Sequence, residues 1–419
     1  MIDADADARI AALLKDVAIP RGVRVERSIV TEPALDDVGA RVREALRAVS
    51  LPRGSVAIGV GSRGIARIVE IVRTLVAALR DAGAEPFIVP AMGSHGASSA
   101  EGQVAVLARL GIDEASVGAP VRATMEAVEI GRTSAGIAAY MDAYAYAADA
   151  AIVVNRVKPH TAFRGPIESG PTKMLAIGFG KQRGAHAAHA GGWGSMHATI
   201  PAVAACSIGT GKIAFALAIV ENADEAPCAI EAIPATELLA REPALLERAS
   251  ANLARLPFDA LDVLVVDRIG KNVSGDGADP NVTGRFPTAY GGSGIAVTRL
   301  VFCDLTDETA GNANGVGLAD VITRTLARKF DPAATYPNAL TSTTPETTRL
   351  PMTLATPRLA LAAALVMCAG VEPSSARVCR IHDTLRLHEL WVSEALLPSV
   401  HADATMRVVD EPSSFPLPA

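Results

Sequence analysis

Histidine side chains are placed where they could move protons. The chain has eight histidines, of which four fall within residues 160–197, and another, His95, lies in a segment rich in glycine and serine. His95 and His160 each follow a predicted strand and are flanked by small or helix-breaking residues, so both are expected on loops. Loops at the carboxyl ends of parallel strands are where open α/β sheets bind ligands. Because histidine titrates near neutral pH, two such rings suit two-base chemistry, in which one accepts a proton while the other holds one.

A metal site is a second interpretation of the same cluster. His186, His189 and His197 could supply three ligands to zinc. No carboxylate stands close to them in the sequence to act as a base. The glycines and alanines on either side of the pair 186–189 suggest room for a bulky group instead. The residues alone leave the two-base and zinc interpretations open.

Lys173 is the lysine best suited to nucleophilic chemistry. Residues 155–172 combine cations with proline and glycine, and Lys173 is followed directly by the apolar run 174–177. Partial desolvation against that run would favour an uncharged, nucleophilic amine. The alternative is that the aliphatic stem packs on apolar surface while the ammonium group reaches solvent.

A glycine-rich turn follows the first strongly apolar strand. Residues 59–64 fit the spacing G-x-G-x-x-G between a predicted strand and a predicted helix. Main-chain amides at a helix N-terminus favour an anion, and Arg63, flanked by Ser62 and Gly64, adds a bidentate donor. An NAD-binding fingerprint also needs an acidic residue at the end of the next strand. That strand ends at residues 89–92 without one, so an anion site, NAD binding and a plain tight turn all stay open.

The elements that must position these residues alternate between strand and helix. Apolar runs of strand type at 56–60 and 151–155 are followed by segments with helical periodicity. This order predicts an α/β fold class, with two α/β domains, mostly parallel sheets and an interdomain active-site cleft. We expect an N-terminal domain over residues 1–257 that carries the catalytic and cofactor-binding residues, and a C-terminal α/β domain over residues 258–419. A helix at about 385–397 is expected to pack back on the N-terminal domain.

Composition argues against several classes of function. The formal net charge is −6 and no dense basic segment is present, which argues against a nucleic-acid binder. The longest apolar run, at residues 359–370, is too short for a bilayer-spanning helix, which needs roughly 20 residues. The first residues are acidic where a signal peptide would be basic. We therefore expect a cytoplasmic protein with neither a membrane nor a nucleic acid as partner.

Three segments together resemble the nickel-dependent lactate racemase family. They are residues 91–96, 158–173 and 184–189, and the resemblance extends more weakly over the second half of the chain. Members of that family hold a nickel-pincer nucleotide, which is a pyridinium-3,5-bisthiocarboxylic acid mononucleotide that carries Ni²⁺. The resemblance implies that this chain binds the same cofactor and Ni²⁺.

The resemblance also implies a role for each site residue. His95 and His160 would act as acid and base. Lys173 would be joined to the cofactor, and His189 would ligate nickel. Arg63 would bind cofactor phosphate or the substrate carboxylate, together with a cation from the second domain. The further cofactor-binding candidates are Ser62, Gly64 and Lys158, and the candidates for the second-domain cation are Lys271 and Arg285.

The implied activity is inversion of a 2-hydroxy acid at its α-carbon, by hydride transfer to the cofactor with two histidine acid/bases. Lactate, malate, aryl lactates and sugar acids all remain open as the small-molecule substrate. Enzymes that synthesise the cofactor would be partners, and a homo-oligomer stays open. Two alternatives are an NAD-dependent oxidoreductase and a non-catalytic protein that binds nickel or the cofactor.

Two departures from the family prototype indicate a divergent branch. The segment between His160 and Lys173 carries Arg164, Pro166 and Glu168, where the prototype has a shorter, glycine-rich spacer. Val60 stands where the prototype has an aspartate before the arginine turn. These differences bear on the identity of the substrate and on the covalent bond at Lys173.

Overall fold

Two compact units make up the chain in the computed structural model, which describes residues 4–418. The central unit consists of Thr31–Leu253 with the short segment Thr341–Thr343. The terminal unit consists of the residues up to Val30, of Ala254–Leu340 and of the residues from Thr344 onward. Each unit combines helices with a large sheet. Most strand pairs are parallel in the sheet of the central unit, and parallel and antiparallel pairs are equal in number in the sheet of the terminal unit. The α/β fold class is therefore confirmed.

The strands of the described chain are β1 (Arg21–Arg27), β2 (Gly54–Val60), β3 (Ala84–Pro90), β4 (Ala127–Arg132), β5 (Ala138–Asp142), β6 (Ala150–Arg156), β7 (Ile213–Glu221), β8 (Pro227–Pro234), β9 (Ala260–Ile269), β10 (Ala296–Leu305), β11 (Val321–Thr323), β12 (Met352–Leu354), β13 (Val378–Ile381), β14 (Glu389–Ser393), β15 (Met406–Val408) and β16 (Ser413–Ser414).

The α-helices are α1 (Ala4–Leu14), α2 (Val38–Ala45), α3 (Ile68–Asp81), α4 (Ala100–Arg109), α5 (Glu114–Val117), α6 (Ala143–Ala147), α7 (Pro171–Lys173), α8 (Lys181–His189), α9 (Met196–Gly209), α10 (Leu238–Ala251), α11 (Pro280–Thr283), α12 (Arg324–Lys329), α13 (Pro332–Ser342), α14 (Pro357–Val366) and α15 (Leu397–Ala402). A single turn of π-helix, Met174–Gly178, continues α7.

The sheet of the central unit has five strands in the order β3-β2-β6-β7-β8. All neighbours pair in parallel except β7 and β8. Side chains of β2 alternate between the two faces, so Val56 and Ile58 pack with α3 while Ala57 packs with α9. Because helices cover both faces, the central strand β6 is a continuous apolar run and not an alternating one.

The strand order of this sheet reverses between β2 and β6. The chain passes from β2 to β3 on one side, and β6 then lies on the other side of β2. Open α/β sheets bind ligands at the carboxyl ends of the strands that flank such a reversal. The loops that leave β2, β3 and β6 carry Arg63, His95 and His160 respectively. The topology therefore places three predicted site residues at one edge of the sheet.

The sheet of the terminal unit runs β12-β11-β10-β9-β13-β14-β1-β15, with β16 also paired to β1. Strands from β12 to β13 pair in parallel, and the remainder pair antiparallel. β1 belongs here because it pairs with β14, from Gly22 opposite Ser393 to Glu26 opposite Glu389. The first residues of the chain thus group with its C-terminal part, whereas the sequence assigned them to the N-terminal domain. The expected boundary at residue 257 lies close to Ala254.

Residues 385–397 do not form the helix predicted from the sequence. They contain β14 and one turn of 3-10 helix, Glu394–Leu396. Leu390 and Val392 are fully buried while Trp391 between them is only partly buried, which is the period-two pattern of a strand. This strand pairs with β1 and β13 of its own unit.

The longest apolar run of the sequence is a buried helix. It coincides with most of α14, in which residues 360–365 are buried against the sheet of the terminal unit. Within residues 4–418, no helix combines the length and the apolar character needed to cross a bilayer.

Candidate functional site

His160 and Lys173 lie in contact. The Lys173 Nζ atom is 2.6 Å from the His160 Nε2 atom. The other ring nitrogen of His160, Nδ1, accepts the main-chain N–H of Ala162 at 3.0 Å. A neutral ring whose Nδ1 accepts a hydrogen bond must hold its proton on Nε2. His160 therefore presents an Nε2–H group, and the form of Lys173 that accepts from it is the uncharged amine.

Burial keeps the His160 ring neutral. Only 8% of the residue is exposed, and this burial lowers the pKa of His160 well below its ordinary value of 6.5. Neighbouring basic groups lower the pKa further, and Lys173 does so whenever its amine is protonated. The other basic groups are His189, Arg164 and Arg63. A neutral ring with its proton on Nε2 can donate a hydrogen bond from that atom.

Glu168 holds the loop that carries His160. Its carboxylate accepts the main-chain N–H groups of His160 at 2.7 Å and of Gly165 at 3.1 Å. At the neck of the same loop, the N–H of Lys158 donates to the carbonyl of Ser169 at 2.8 Å. Burial raises the pKa of Glu168 although these hydrogen bonds oppose the shift. Glu168 thus closes the loop that carries His160.

His189, the last residue of α8, faces His160 across a tryptophan. Its Nδ1 is 2.7 Å from the carbonyl oxygen of Ala185, so Nδ1 carries the ring proton and the lone pair is on Nε2. A histidine oriented in this way can offer Nε2 to a metal. The Trp193 ring centroid is 5.2 Å from that of His189 and 5.6 Å from that of His160. Burial lowers the pKa of His189.

His95 has the tautomer opposite to that of His160. Its Nδ1 is 2.7 Å from the carbonyl oxygen of Met92, which can only accept, so Nδ1 holds the proton and Nε2 has the lone pair. The side chain is half-buried. One Nε2 atom can therefore accept a hydrogen bond and the other can donate one.

The loop that carries His95 is tightly constrained. Gly93 and Gly96 have positive φ angles of 60° and 66°. A Cβ atom at Gly96 would lie 2.5 Å from the main-chain carbon of Gly102, so only glycine fits. Ala97 also adopts a left-handed φ of 54°. Gly93 packs against Ala185, the residue whose carbonyl orients His189. Backbone strain of this kind concentrates at functional sites.

The turn after β2 packs on the segment that carries Lys173. A Cβ atom at Gly61 would lie 3.4 Å from the Cε atom of Met174. Arg63 lies near enough for its charge to lower the pKa of His160. Ser62 and Arg63 are half-buried, and Gly64 is exposed.

The same turn differs from a dinucleotide-binding fingerprint. The helix α3 begins at Ile68, after Arg67 in a left-handed conformation, and not directly after the last glycine. The Glu221 carboxylate accepts the N–H of Ala66 at 3.1 Å, so a protein acid occupies an amide that a phosphate would need. Together with the missing acid after β3, this geometry argues against the NAD alternative.

Glu242 of α10 holds the turn that carries Lys173. Its Oε2 atom accepts the N–H of Thr172 at 2.8 Å and the hydroxyl of Thr172 at 2.7 Å. Its Oε1 atom is buried and has no hydrogen-bond partner among the described residues. Gly170 leaves space for it, since a Cβ atom there would lie 2.2 Å from Oε1. Burial raises the pKa of Glu242 to about 7.

Glu242→Gln is expected to change how stability depends on pH. The folded-state pKa of about 7 exceeds the ordinary value of 4.5, so the folded state binds this proton more tightly than the unfolded state. The resulting stabilisation is complete below the unfolded pKa and is lost as pH rises through the folded pKa. Over that pH range the free energy of unfolding of the wild type should fall by on the order of 3 kcal/mol because of this group, and that of the glutamine variant should not.

Urea unfolding between about pH 5 and about pH 8 measures the difference. Glu247→Gln, on the exposed side of the same helix, is the control and should follow the wild type. Parallel stability curves for the wild type and Glu242→Gln would contradict the assignment of a buried carboxyl that is protonated at low pH.

Lys271 and Arg285, the two candidates for a second substrate-binding cation, belong to the terminal unit. Arg285 places its Nη2 atom 2.8 Å from the Asp320 carboxylate and also donates to two main-chain carbonyls. This guanidinium is therefore engaged in holding its own unit together. Lys271 donates through Nζ to the carbonyl of Gly275 in its own loop, at 2.5 Å.

The three histidines of the zinc interpretation do not converge. His186 and His197 are exposed, whereas His189 is half-buried. In the part of the chain that the structure describes, no three histidine, cysteine, aspartate or glutamate side chains are arranged to hold a metal ion. A metal beside His189 would need its other ligands from a bound molecule, which the implied nucleotide would provide. The predominantly basic surroundings of His160 suit a molecule that carries phosphate and carboxylate groups.

Residues 43–199 match the family model described as the lactate racemase N-terminal domain. This part of the chain is similar to a lactate racemase N-terminal domain. This match confirms the family resemblance over the lactate racemase-like segment that contains His95, His160, Lys173 and His189. No curated protein matches the chain significantly.

A solved structure of the lactate racemase apoprotein from Thermoanaerobacterium thermosaccharolyticum is similar to the chain with a TM-score of 0.53 and 10% sequence identity. The alignment covers 87% of this chain and 98% of that chain. At this identity, the similarity shows that the fold is shared.

Sequence reasoning missed the residues that hold the site in place. Glu168 and Glu242 accept main-chain N–H groups, and nothing in their sequence surroundings signals a buried carboxylate. The sequence gives a weak indication of a role for Trp193, because it is one of only two tryptophans and is flanked by glycines shortly after His189. These contacts arise from chain segments that only the folded structure brings together.

Proposed function

We propose that the chain is a racemase or epimerase that inverts the α-carbon of a 2-hydroxy acid, using a nickel-pincer nucleotide. The observation that carries the proposal is the pair of histidines with opposite tautomers, His95 with a lone pair on Nε2 and His160 with a proton on Nε2. Inversion needs a proton acceptor for the hydroxyl of one enantiomer and a proton donor for the other. A protein that only stores a cofactor needs neither.

Lys173 and His189 are the residues proposed to hold the cofactor. The uncharged amine of Lys173, in its contact with His160, suits covalent attachment, and Nε2 of His189 suits nickel. Ser62, Gly64 and Lys158 are proposed as further contacts. When bound, the cofactor supplies a reversible hydride acceptor for the α-carbon.

Arg63 is proposed to bind the substrate carboxylate through charge-assisted hydrogen bonds. A second cation for it, Lys271 or Arg285, remains a prediction from the sequence. With the carboxylate held, one histidine takes the hydroxyl proton of the entering enantiomer. The ring that takes this proton becomes imidazolium. The other histidine, which must enter the reaction as imidazolium, returns a proton when the opposite enantiomer forms and becomes neutral, so the two rings exchange protonation states in each turnover. The burial of His160 and its contact with Trp193 keep bulk water away from that side of the site.

The proposed substrate is any 2-hydroxy acid of the kinds predicted from the sequence. Lactate, malate, aryl lactates and sugar acids all present a carboxylate beside a hydroxyl-bearing carbon, and a sugar acid would make the protein an epimerase. Enzymes that synthesise the cofactor are its expected partners. The cytoplasmic location and a homo-oligomeric state remain predictions.

The proposal is tested on protein produced together with the cofactor-synthesis enzymes. A panel of chiral 2-hydroxy acids is incubated with it, inversion is followed by chiral chromatography, and metal content is measured. Near-stoichiometric nickel and inversion of at least one acid are expected. Stoichiometric zinc, or net oxidation with an absorbance change at nicotinamide wavelengths, would refute the proposal. Nickel or cofactor binding without inversion of any acid would favour a non-catalytic carrier.

A further inference from the structure

A fully buried lysine lies beneath the loop that carries His95. Lys181, at the start of α8, is 0% exposed. Its Nζ atom donates to the carbonyl oxygen of Pro90 at 2.6 Å and to Oε1 of Gln103 at 3.1 Å. It also forms an ion pair with Asp142 at 2.8 Å. Since apolar side chains often stabilise a protein interior as well as a buried ion pair does, stability alone does not account for this arrangement.

The charge of Lys181 determines how Gln103 is oriented. An ammonium group can only donate, so the amide of Gln103 must turn its oxygen toward Lys181 and its nitrogen toward the loop. That nitrogen, Nε2, donates to the carbonyl oxygens of Gly93 at 2.8 Å and of His95 at 3.3 Å. The same loop contains the Met92 carbonyl that accepts from Nδ1 of His95. A chain of oriented hydrogen bonds therefore runs from the buried charge to the His95 segment.

Lys181 also ties this loop to the helix that carries His189. Its bond to Pro90 joins the start of α8 to the end of β3. Its backbone has a left-handed φ of 53°, which is uncommon for a residue with a side chain and needs support from its surroundings. Burial lowers the pKa of Lys181 and raises that of Asp142, and the ion pair opposes both shifts. The buried contacts thus hold the backbone at this point.

We propose that Lys181, acting through Gln103, is a positioning residue that holds His95 in the tautomer and orientation from which its Nε2 atom accepts a proton. The effect on turnover rests on the proposed function. The effect on the His95 ring does not depend on it and is present without cofactor.

Lys181→Met tests the inference, because methionine has a similar length and no charge. NMR spectra of protein labelled with ¹⁵N-histidine, prepared without cofactor, report which ring nitrogen of His95 is protonated. The wild type should show the proton on Nδ1, and the variant should show a mixture of tautomers. Lys212→Met is the matched control, since Lys212 also donates to a main-chain carbonyl, that of Ala148 at 2.8 Å. Its His95 signals should match those of the wild type.

A double variant separates positioning from stability. Lys181→Met alone leaves Asp142 buried without its ion-pair partner, so its Tm should fall. Lys181→Met with Asp142→Asn removes both charges and keeps an acceptor for the Ala145 N–H, so its Tm should recover toward that of the wild type. In the loaded enzyme, kcat for inversion should fall on the order of 10²-fold in both variants, with KM changing much less.

Wild-type His95 signals and wild-type kcat in the double variant would overturn the inference and leave Lys181 a purely structural role. If the wild type inverts no 2-hydroxy acid, the proposed function fails. The NMR comparison still decides the inference about Lys181 in that case.

Discussion

His160→Ala should lower kcat for inversion by on the order of 10³-fold while nickel stays bound. The expectation follows from the proposed acid/base role of His160, whose Nε2 atom contacts Lys173, the proposed point of cofactor attachment. Nickel should remain because the proposed attachment uses Lys173 and His189. Initial rates with the preferred acid and metal analysis of the same samples measure the two effects. His95→Ala should give a similar loss.

The control for this prediction is His197→Ala, in the same unit and exposed, which should retain both activity and nickel. Loss of nickel together with activity in His160→Ala would mean that His160 contributes to holding the cofactor. Inversion at the wild-type rate in either His160→Ala or His95→Ala would rule out the two-base assignment.

Lys173→Ala should abolish inversion and release the cofactor. The amine is the proposed point of attachment, and its uncharged form in contact with His160 is the nucleophilic form. Lys173→Arg should behave in the same way, because a guanidinium is always charged and is not a nucleophile. Nickel measured before and after desalting, and the intact mass of the loaded protein, report the attachment directly.

Lys212→Met, already the control for Lys181, should retain nickel and the added mass of the cofactor. Inversion and retained nickel in Lys173→Ala, with no added mass in the wild type, would show that the cofactor binds without a covalent bond. That outcome would be attributed to the segment between His160 and Lys173, in which Glu168 holds the loop where the prototype has a glycine-rich spacer.

The positions of Arg63, His95 and His160 could be predicted because each lies in a loop after a parallel strand, while their roles remain predictions. The strands around residues 56–60 and 151–155 are confirmed as β2 and β6, and the family resemblance is confirmed over residues 43–199. The prediction of a helix at residues 385–397 was wrong. The segment forms a strand, and its alternating burial depends on pairing with β1, roughly 360 residues earlier in the chain. Short apolar segments do not distinguish strand from helix until their partners are known.

The sequence by itself determined the α/β class and that His95 and His160 stand in loops after strands, since periodicity and loop composition are local properties. Only the tertiary structure decided the protonation pattern. The opposite tautomers of His95 and His160 depend on Met92 and Ala162, whose main-chain groups are aimed by loop conformation. The buried Glu242 and Lys181 depend on partners from distant segments. Hydrogen bonds are directional, so their pattern exists only once the backbone is folded.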